Sequence, residues 1–170
     1  MTVVVGPAGP ADEAWVAATL RQRWGGKVVA RDEQFDLIGL PAIVAWTDGR
    51  RVGVATLRGD PAGDDPELMS LDSLEEGRGV GSALIEAACG WARSLGARRL
   101  RVVTTNDNLR ALSLYQRHGF RLVALRPGAV ERARRLKPSI LQVGASGIPH
   151  PRRAGARAGA LSQRLEEAPR

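Results

Sequence analysis

The feature that most constrains the fold is a glycine-rich stretch that leads directly into an amphipathic helix. Its glycines stand at every second position: Gly77, Gly79 and Gly81. This spacing disfavours a regular element, because glycine loses the most conformational freedom on folding. Over residues 80–95 apolar side chains recur at helical spacing, and residues 68–74 before the glycines are typical of a strand. The sequence therefore predicts a strand, a tight glycine turn and a helix.

The start of such a helix is suited to binding a phosphate group. Its first N–H groups lack partners within the helix, and the helix dipole favours an anion there. Two common phosphate-binding motifs fit poorly. The dinucleotide fingerprint needs a third glycine where Leu84 stands, and the nucleotide P-loop needs a lysine where Ser82 follows Gly81. A tight turn without a ligand remains the alternative interpretation.

The remaining patterns predict an α+β domain and not a doubly wound one. The expected order is β-α-β-β-β-α-β-α-β, with strands at 2–5, 42–46, 51–58, 67–74, 98–104 and 120–125, and helices at 14–24, 80–95 and 106–118. Asp48-Gly49 between two strands is a strong hairpin signal. A helical crossover then makes one strand pair parallel. We therefore predict a mixed, mostly antiparallel sheet flanked by helices.

A second motif lies on the predicted helix of residues 106–118. Its fixed positions are Asn108, Ala111, Leu114, Tyr115, Gly119 and Phe120. They match N-x-x-A-x-x-L/F-Y-x-x-x-G-F, a signature of the GNAT superfamily of N-acetyltransferases. The glycine stretch resembles the R/Q-x-x-G-x-G/A motif of the same superfamily, with Glu76 where the family usually has Gln or Arg. The two motifs cover residues 67–125, and the chain resembles a bacterial GNAT subgroup of unassigned substrate.

The resemblance implies acetyl-CoA as co-substrate, held by backbone amides of the glycine loop, and it implies a GNAT-like fold. The residues implied to contact acetyl-CoA are Leu71, Asp72, Ser73, Gly77, Arg78, Gly79, Val80, Gly81, Ser82 and Asn108. Arg78 would supply the positive charge that Glu76 does not. Asn108 is equally consistent with a helix N-cap. No metal is expected, because one cysteine and two isolated histidines lack the spacing of a metal site.

The implied reaction is the direct attack of an amine on a thioester, which needs a neutral amine and a proton for the leaving thiolate. Tyr115 is the one tyrosine of the chain. By resemblance it is the general acid, and a phenol with a pKa of about 10 is protonated at neutral pH. A core aromatic is its alternative role. Glu67 is the candidate general base, directly or through water, and Asp72 is the other candidate. A surface carboxylate is the alternative for both.

The leading hypothesis is therefore the transfer of an acetyl group from acetyl-CoA to a primary amine of a small molecule or a protein. The alternative, from a different class, is a catalytically impaired acyl-CoA-binding or interaction domain on the same fold. Glu76 and the unusual C-terminal end motivate that alternative.

The net charge of +7 is concentrated near the C-terminal end. Residues 1–125 carry 15 basic and 15 acidic side chains, whereas residues 126–170 carry 10 basic and 3 acidic ones. This distribution argues against nucleic-acid binding as the main function. The lone cysteine, Cys89, is consistent with a reducing, cytoplasmic location, and no apolar run is long enough to span a membrane.

The C-terminal end departs from the pattern of the rest of the chain. A short basic helix is expected over residues 129–136, but no alternating apolar run follows Val143. We therefore divide the chain into an N-acetyltransferase domain (1–147) and a basic, disordered or atypical tail (148–170), with a short helix over 160–168. The expected last strand would be missing or replaced. An exposed sheet edge would then favour a homodimer.

Overall fold

The computed structural model describes residues 2–59, 65–144, 146–149 and 157–165. In chain order the elements are β1 (Val4–Pro7), a 3₁₀ turn (Pro10–Asp12), α1 (Glu13–Trp24), β2 (Lys27–Ala30), β3 (Glu33–Asp36), β4 (Ala42–Thr47), β5 (Arg50–Arg58), β6 (Glu67–Ser73), α2 (Val80–Ser94), β7 (Arg99–Thr105), α3 (Leu109–Arg117), β8 (Arg121–Pro127), α4 (Ala129–Leu136) and β9 (Arg157–Arg164). Within the described ranges no helix is long and apolar enough to cross a membrane.

Seven of the strands form one sheet, in the order β1-β4-β5-β6-β7-β9-β8, and β2 and β3 form a separate hairpin. Every neighbouring pair is antiparallel except β6 and β7, which are parallel. The predicted mixed, mostly antiparallel sheet flanked by helices is confirmed. The predicted hairpin joins β4 to β5, and Asp48 and Gly49 both have positive φ, 49° and 73°. Positive φ at both turn positions is what a two-residue hairpin of this type requires.

The parallel pair β6–β7 separates after two residue pairs. Glu67 lies opposite Arg101 and Leu68 opposite Val102, and the described ladder ends there. Strand β6 continues to Ser73 against β5, and β7 continues against β9. The facing edges of β6 and β7 are therefore open toward their carboxyl ends. Backbone N–H and C=O groups on such edges need other partners, which an extended ligand can supply.

A β-bulge in β6 lies beside this opening. Thr56 of β5 is opposite Ser70, whereas the next residue, Leu57, is opposite Leu68, so Met69 is the extra residue. The bulge interrupts the strict alternation of side chains along β6. As a result Leu68 and Leu71 both pack toward the core beneath α2, and Met69 packs on the opposite face.

The two faces of the sheet have separate cores. Helix α2 covers one face, where Leu84, Ile85 and Ala88 pack with residues of β7 and β9. Helix α1 covers the other face, where Leu20 packs with Val44 and Val54. Burying each such leucine or isoleucine contributes about 1.5–3 kcal/mol.

Gly53 of β5 shows why α2 can approach the sheet so closely. A Cβ at this position would lie 2.6 Å from Cγ1 of Val80 and 2.9 Å from the backbone oxygen of Asp72. Only glycine leaves room for the first turn of α2 against β5 and β6. The start of the helix is therefore held against the strand that opens from β7.

Two elements differ from the prediction between α1 and β4. Lys27–Ala30 and Glu33–Asp36 form a hairpin that the predicted element order does not contain. Its turn residues Arg31 and Asp32 have φ of 53° and 66°. Arginine is rare in this left-handed region, so no turn signal marked the hairpin in the sequence.

The prediction for the C-terminal end is wrong over residues 157–164. These residues form β9, which inserts between β7 and β8 and pairs with both. The sheet thus extends beyond the predicted boundary at residue 147, and residues 160–164 are not helical. Because ladders on both sides hold β9, it needs little apolar alternation. Leu161 within the strand and Leu165 just after it are buried.

Two expectations about the end of the chain are affected differently. A homodimer was expected because the sheet would lack its last strand. Strand β9 is present between β7 and β8, so this reason for a homodimer no longer applies, and β8 forms the edge of the sheet. The predicted tail residues 150–156 and 166–170 lie outside the described residues. The short basic helix is confirmed as α4, Ala129–Leu136.

Candidate active site

The glycine loop lies between β6 and α2, at the open end of the β6–β7 pair. Gly77 and Gly79 adopt φ of 73° and 78°, the left-handed region that favours glycine. The first bond of α2 runs from the Ala83 N–H to the Gly79 carbonyl over 2.9 Å. The N–H groups of Val80, Gly81 and Ser82 precede this bond, so they are the donors that a helix start offers to an anion.

The third glycine of the loop is required by close packing. A Cβ on Gly81 would lie 3.1 Å from Cδ2 of Leu114 on α3 and 3.8 Å from Cδ2 of Leu71 on β6. The starts of α2, α3 and the open edge of β6 thus meet at one place. The bare backbone at Gly77, Gly79 and Gly81, with the open strand edges beside it, fits the pyrophosphate and extended arm of acetyl-CoA.

The charge of Glu76 is balanced by a residue that the sequence analysis did not identify. The Arg110 guanidinium, on α3, donates to the Glu76 carboxylate. Arg78, expected to supply the positive charge of the loop, instead lies 3.5 Å from Glu75. Helix α3 is therefore tied to the glycine loop through Arg110. In the sequence, the one feature that pointed to Arg110 was its position two residues after Asn108, inside the second motif.

Asn108 is the N-cap of α3, which confirms one of its two interpretations. Its Oδ1 accepts a hydrogen bond from the Ala111 N–H over 3.2 Å. A second link joins α3 to the loop, because Nε2 of His118 lies 2.9 Å from Oγ of Ser82. Contact between Asn108 and acetyl-CoA stays a prediction.

Tyr115 is both a core residue and a side chain at the site. It is 7% exposed, and its ring centroid lies 5.5 Å from that of Phe120. Burial raises the pKa of the Tyr115 hydroxyl, and the negative charge of Asp72 raises it further. The phenol is therefore protonated throughout the neutral range and can donate a proton or a hydrogen bond.

Asp72 connects the open edge of β6 to α1. Its carboxylate is 8% exposed, and the Trp24 indole N–H donates to Oδ2 over 2.5 Å. The Arg23 guanidinium lies 3.4 Å from Oδ1. Burial raises the pKa of Asp72 above its usual value, although Trp24 and Arg23 both act to lower it. The sequence placed Asp72 among the residues near acetyl-CoA and as the second candidate base; in the structure its side chain packs with the end of α1.

Glu67, the predicted base, stands at the paired end of β6. It is 3% exposed, and Nη2 of Arg31 lies 3.0 Å from Oε2. Burial raises the pKa of the Glu67 carboxyl, opposed most strongly by the charge of Arg31. A strand rises about 3.3 Å per residue, so Glu67 and Asp72 are separated by roughly 15 Å along β6. The structure thus brings Asp72, and not Glu67, to the open end near Tyr115.

Two cavities lie beside β7: the smaller one is at its open end, and the larger one includes the end where β7 pairs with β6. The smaller one, about 230 Å³, is lined by Trp24, Val28, Ala30, Thr104, Asn108 and Val130 among others. The larger one, about 890 Å³, extends over β7, β9 and β8 and includes Glu67. Arg31, Val103 and Arg126 line both cavities, so the two are adjacent.

Comparison with known proteins agrees with this geometry. Residues 13–120 match the sequence profile of the Acetyltransferase (GNAT) family. The chain is 42% identical over 100 residues to the uncharacterized protein YdhI of Bacillus subtilis (strain 168), covering 59% of this chain and 61% of YdhI. It is 30% identical over 118 residues to a mycothiol acetyltransferase of Geodermatophilus obscurus, covering 65% of this chain and 36% of that protein. The chain thus spans about three fifths or less of the length of these relatives.

Solved structures with the same fold cover nearly the whole chain. The IAA acetyltransferase from Bacillus cereus ATCC 14579 has a TM-score of 0.64 at 21% identity, covering 96% of this chain and all of that one. A GNAT family acetyltransferase from Elizabethkingia anophelis, solved with acetyl-CoA bound, has a TM-score of 0.64 at 17% identity, covering 96% and 98%. At these identities the likeness concerns the fold alone. The profile match spans more than half of the sequence, and on that basis the chain belongs to the GNAT acetyltransferase family.

Proposed function

We propose that this protein transfers an acetyl group from acetyl-CoA to a primary amine of a small molecule or a protein. The observation that carries the proposal is the opening between β6 and β7, at the end of β6 that carries Asp72 and leads into the glycine loop. Tyr115 is near enough to Asp72 for its charge to raise the pKa of the phenol. A thioester lying in this opening would meet a phenol, a carboxylate and open backbone edges together.

Acetyl-CoA would lie with its pyrophosphate at the start of α2 and its pantetheine arm along the open strand edges. The residues proposed to hold it are Leu71, Asp72 and Ser73 of β6, the loop and helix residues Gly77, Arg78, Gly79, Val80, Gly81 and Ser82, and Asn108. Backbone groups would do most of this work, because no described strand pairs with β6 on its β7 side beyond Leu68. The acceptor would enter through the smaller cavity beside Trp24.

The proposed reaction needs no covalent enzyme intermediate. The amine nitrogen attacks the thioester carbonyl carbon, a C–N bond forms, the C–S bond breaks, and sulfur keeps the electron pair. The proton lost by nitrogen ends on sulfur, so the products are an amide and free coenzyme A. Tyr115 donates to sulfur as the thiolate forms. Its raised pKa keeps the hydroxyl protonated until the C–S bond breaks. The proton then passes to the thiolate, and Tyr115 is reprotonated by the proton that the amine releases.

Two carboxylates are candidates for accepting the amine proton. Asp72 lies at the open end beside Trp24, which lines the smaller cavity. Glu67 is roughly 15 Å away along β6 and would act only through water. The raised pKa of each carboxyl makes it a better base than an ordinary carboxylate. We therefore propose Tyr115 as the acid and keep Glu67 as a candidate base, with the geometry in favour of Asp72.

The test combines binding with turnover on the full chain. Calorimetry measures acetyl-CoA binding, and release of the coenzyme A thiol is then followed with a panel of primary amines. Tyr115→Phe keeps the ring in the core, so we expect kcat to fall by about 10²-fold or more, with acetyl-CoA affinity and Tm retained. Asp72→Asn and Glu67→Gln, compared in the same assay, identify the base.

Three other outcomes would contradict the proposal in different ways. Unchanged turnover in Tyr115→Phe would remove that residue from the mechanism. Acetyl-CoA binding without turnover of any amine would support an acyl-CoA-binding domain that has lost catalysis. No binding by a folded sample would show that the glycine loop does not hold this co-substrate.

A further inference from the structure

The larger cavity is lined mainly by arginines, and we call it the arginine cleft. Its basic residues are Arg31, Arg93, Arg99, Arg101, Arg121, Arg126 and Arg164. Glu67 is the one carboxylate among its lining residues, and its volume is about 890 Å³. Such a concentration of one charge in a concave surface raises the local concentration of ions of the opposite sign.

The strand register places four of these arginines on one face of three neighbouring strands, and two of them are directly opposite each other. Arg99 of β7 lies opposite Arg164 of β9, and both Arg101 and Arg121 lie opposite Ser162. Residues directly opposite on neighbouring strands project from the same face, and like charges in these positions destabilise a sheet. The fold therefore carries a repulsion across β7, β9 and β8 that an anion would relieve.

Among the described residues, two carboxylates form ion pairs with arginines of the cleft. Arg31 pairs with Glu67 at 3.0 Å, and Arg101 pairs with Asp65 at 3.3 Å. Within the described part of the chain, no carboxylate forms an ion pair with Arg99, Arg121 or Arg164. These guanidinium groups remain available for a ligand.

The arginine cleft is connected to the proposed reaction site. The smaller cavity at the open end of β6–β7 is mostly apolar, and Arg31 and Arg126 line both it and the cleft. A molecule with its amine at the open end would pass the apolar walls and place its remaining part among the arginines. The two cavities together suit a ligand with a reactive end, an apolar middle and a charged end.

We propose that the acceptor is an anionic amine, whose carboxylate or phosphate group binds in the arginine cleft while its amine reaches the thioester. This rests on the acetyl transfer proposed above. Guanidinium groups bind both kinds of oxyanion through paired, charge-assisted hydrogen bonds. The cleft volume lies within the 300–1,000 Å³ typical of small-ligand sites, which favours a small acceptor over a nucleic acid.

The test compares acceptors that differ only in charge. Full-length protein with saturating acetyl-CoA is given ω-amino carboxylates and aminoalkyl phosphates, each next to the alkylamine of the same length. We expect kcat/KM for the anionic acceptors to exceed that of the neutral partners by about tenfold or more, since hydrogen bonds to charged groups contribute this much. The preference should shrink with added salt.

Variants locate the effect in the cleft. Arg121→Gln should reduce kcat/KM for the anionic acceptors by about tenfold and leave the neutral amines unchanged. Arg50→Gln, at the exposed start of β5, is the matched control and should change neither. A measurement independent of activity uses Arg99→Gln, which should raise Tm at low salt and lose part of the stabilisation by inorganic phosphate.

The outcomes separate this proposal from the acetyl transfer on which it rests. Equal turnover of neutral and anionic amines, unaffected by Arg121→Gln, would overturn the anionic acceptor and leave acetyl transfer standing. No turnover of any amine would overturn both. Salt-dependent binding of a short DNA duplex that Arg121→Gln abolishes, without any acceptor preference, would replace the small anion by a nucleic acid.

Discussion

The indole N–H of Trp24, the last residue of α1, donates to the buried carboxylate of Asp72 over 2.5 Å. This bond joins two residues 48 positions apart and fixes α1 against the open edge of β6. Trp24→Phe keeps an aromatic ring but removes the donor. We expect a loss of about 1.5–3 kcal/mol in the free energy of unfolding, the usual contribution of a hydrogen bond to a charged group.

Urea denaturation checks this expectation, with Trp15→Phe as the control. Trp15 packs against the same core, and its indole donates to no carboxylate of the described residues. Equal destabilisation of both variants would show that indole volume matters and the hydrogen bond does not.

Gly81→Ala should weaken acetyl-CoA binding. Its Cβ would lie 3.1 Å from Cδ2 of Leu114, so α3 has to move away from the loop. Gly90→Ala is the control within the same helix, because nothing lies within 4 Å of its Cβ. Replacing a mid-helix glycine stabilises by about 0.5–1 kcal/mol, so Gly90→Ala should raise Tm and leave the affinity unchanged. Calorimetry and thermal unfolding of both variants decide the matter; equal affinities would show that the loop tolerates the added methyl group.

The pairing of Glu76 with Arg110 predicts opposite effects of two neutral substitutions. Arg110→Gln leaves the Glu76 charge beside the pyrophosphate, so we expect acetyl-CoA affinity to fall several-fold. Glu76→Gln should raise the affinity, and the double variant should lie between the two. Both side chains are exposed, so the differences should diminish at high salt. Identical affinities for all four proteins at low salt would contradict this electrostatic coupling.

The raised pKa of Glu67 predicts a pH-dependent stability. Burial holds the folded-state pKa above the ordinary value of 4.5, so the folded state binds the proton more tightly than the unfolded state. The free energy of unfolding contributed by Glu67 should therefore decrease as pH rises from about 4.5 through the raised pKa. Glu67→Gln removes this dependence. Urea denaturation from pH 4 to 8 gives the free energy of unfolding of the wild type and of Glu67→Gln. As pH rises, the value for the wild type should fall relative to that of the variant. A difference that does not change with pH would contradict the raised pKa.

Leu161 tests whether β9 is an integral part of the sheet. Its side chain is fully buried between the strands and α2, so Leu161→Ala should cost about 2–5 kcal/mol. Leu141→Ala, at a side chain that is 75% exposed, should cost less than about 0.5 kcal/mol. Chemical denaturation of the two variants makes the comparison, and equal small effects would show that β9 contributes little to stability.

Local signals in the sequence predicted most of the fold. The Asp48-Gly49 turn, the glycine loop and the Asn108 cap each depend on residues close together in the chain, and the structure has all three. Strand β9 was missed because its stability comes from ladders on both sides. Strands β7 and β8 are distant in sequence, so the strand's own composition carries little signal.

The candidate site was predicted less completely, for a related reason. Tyr115 and the glycines belong to motifs, but Trp24 and Arg110 act through partners 48 and 34 residues away. The arginine cleft could not be predicted from the sequence either. Arg99 and Arg101 show the period of a strand face, yet their facing residues are known only once β9 is placed between β7 and β8.

The insertion of β9 has a consequence for how the protein is made. Strand β7 is synthesised more than fifty residues before β9, and β8 is also complete before β9 leaves the ribosome. Until then both strands present open edges, and their pairing through β9 requires the closure of a long loop, which slows folding. One wall of the arginine cleft is thus assembled last, and changes near residue 160 affect a site whose motifs lie far upstream.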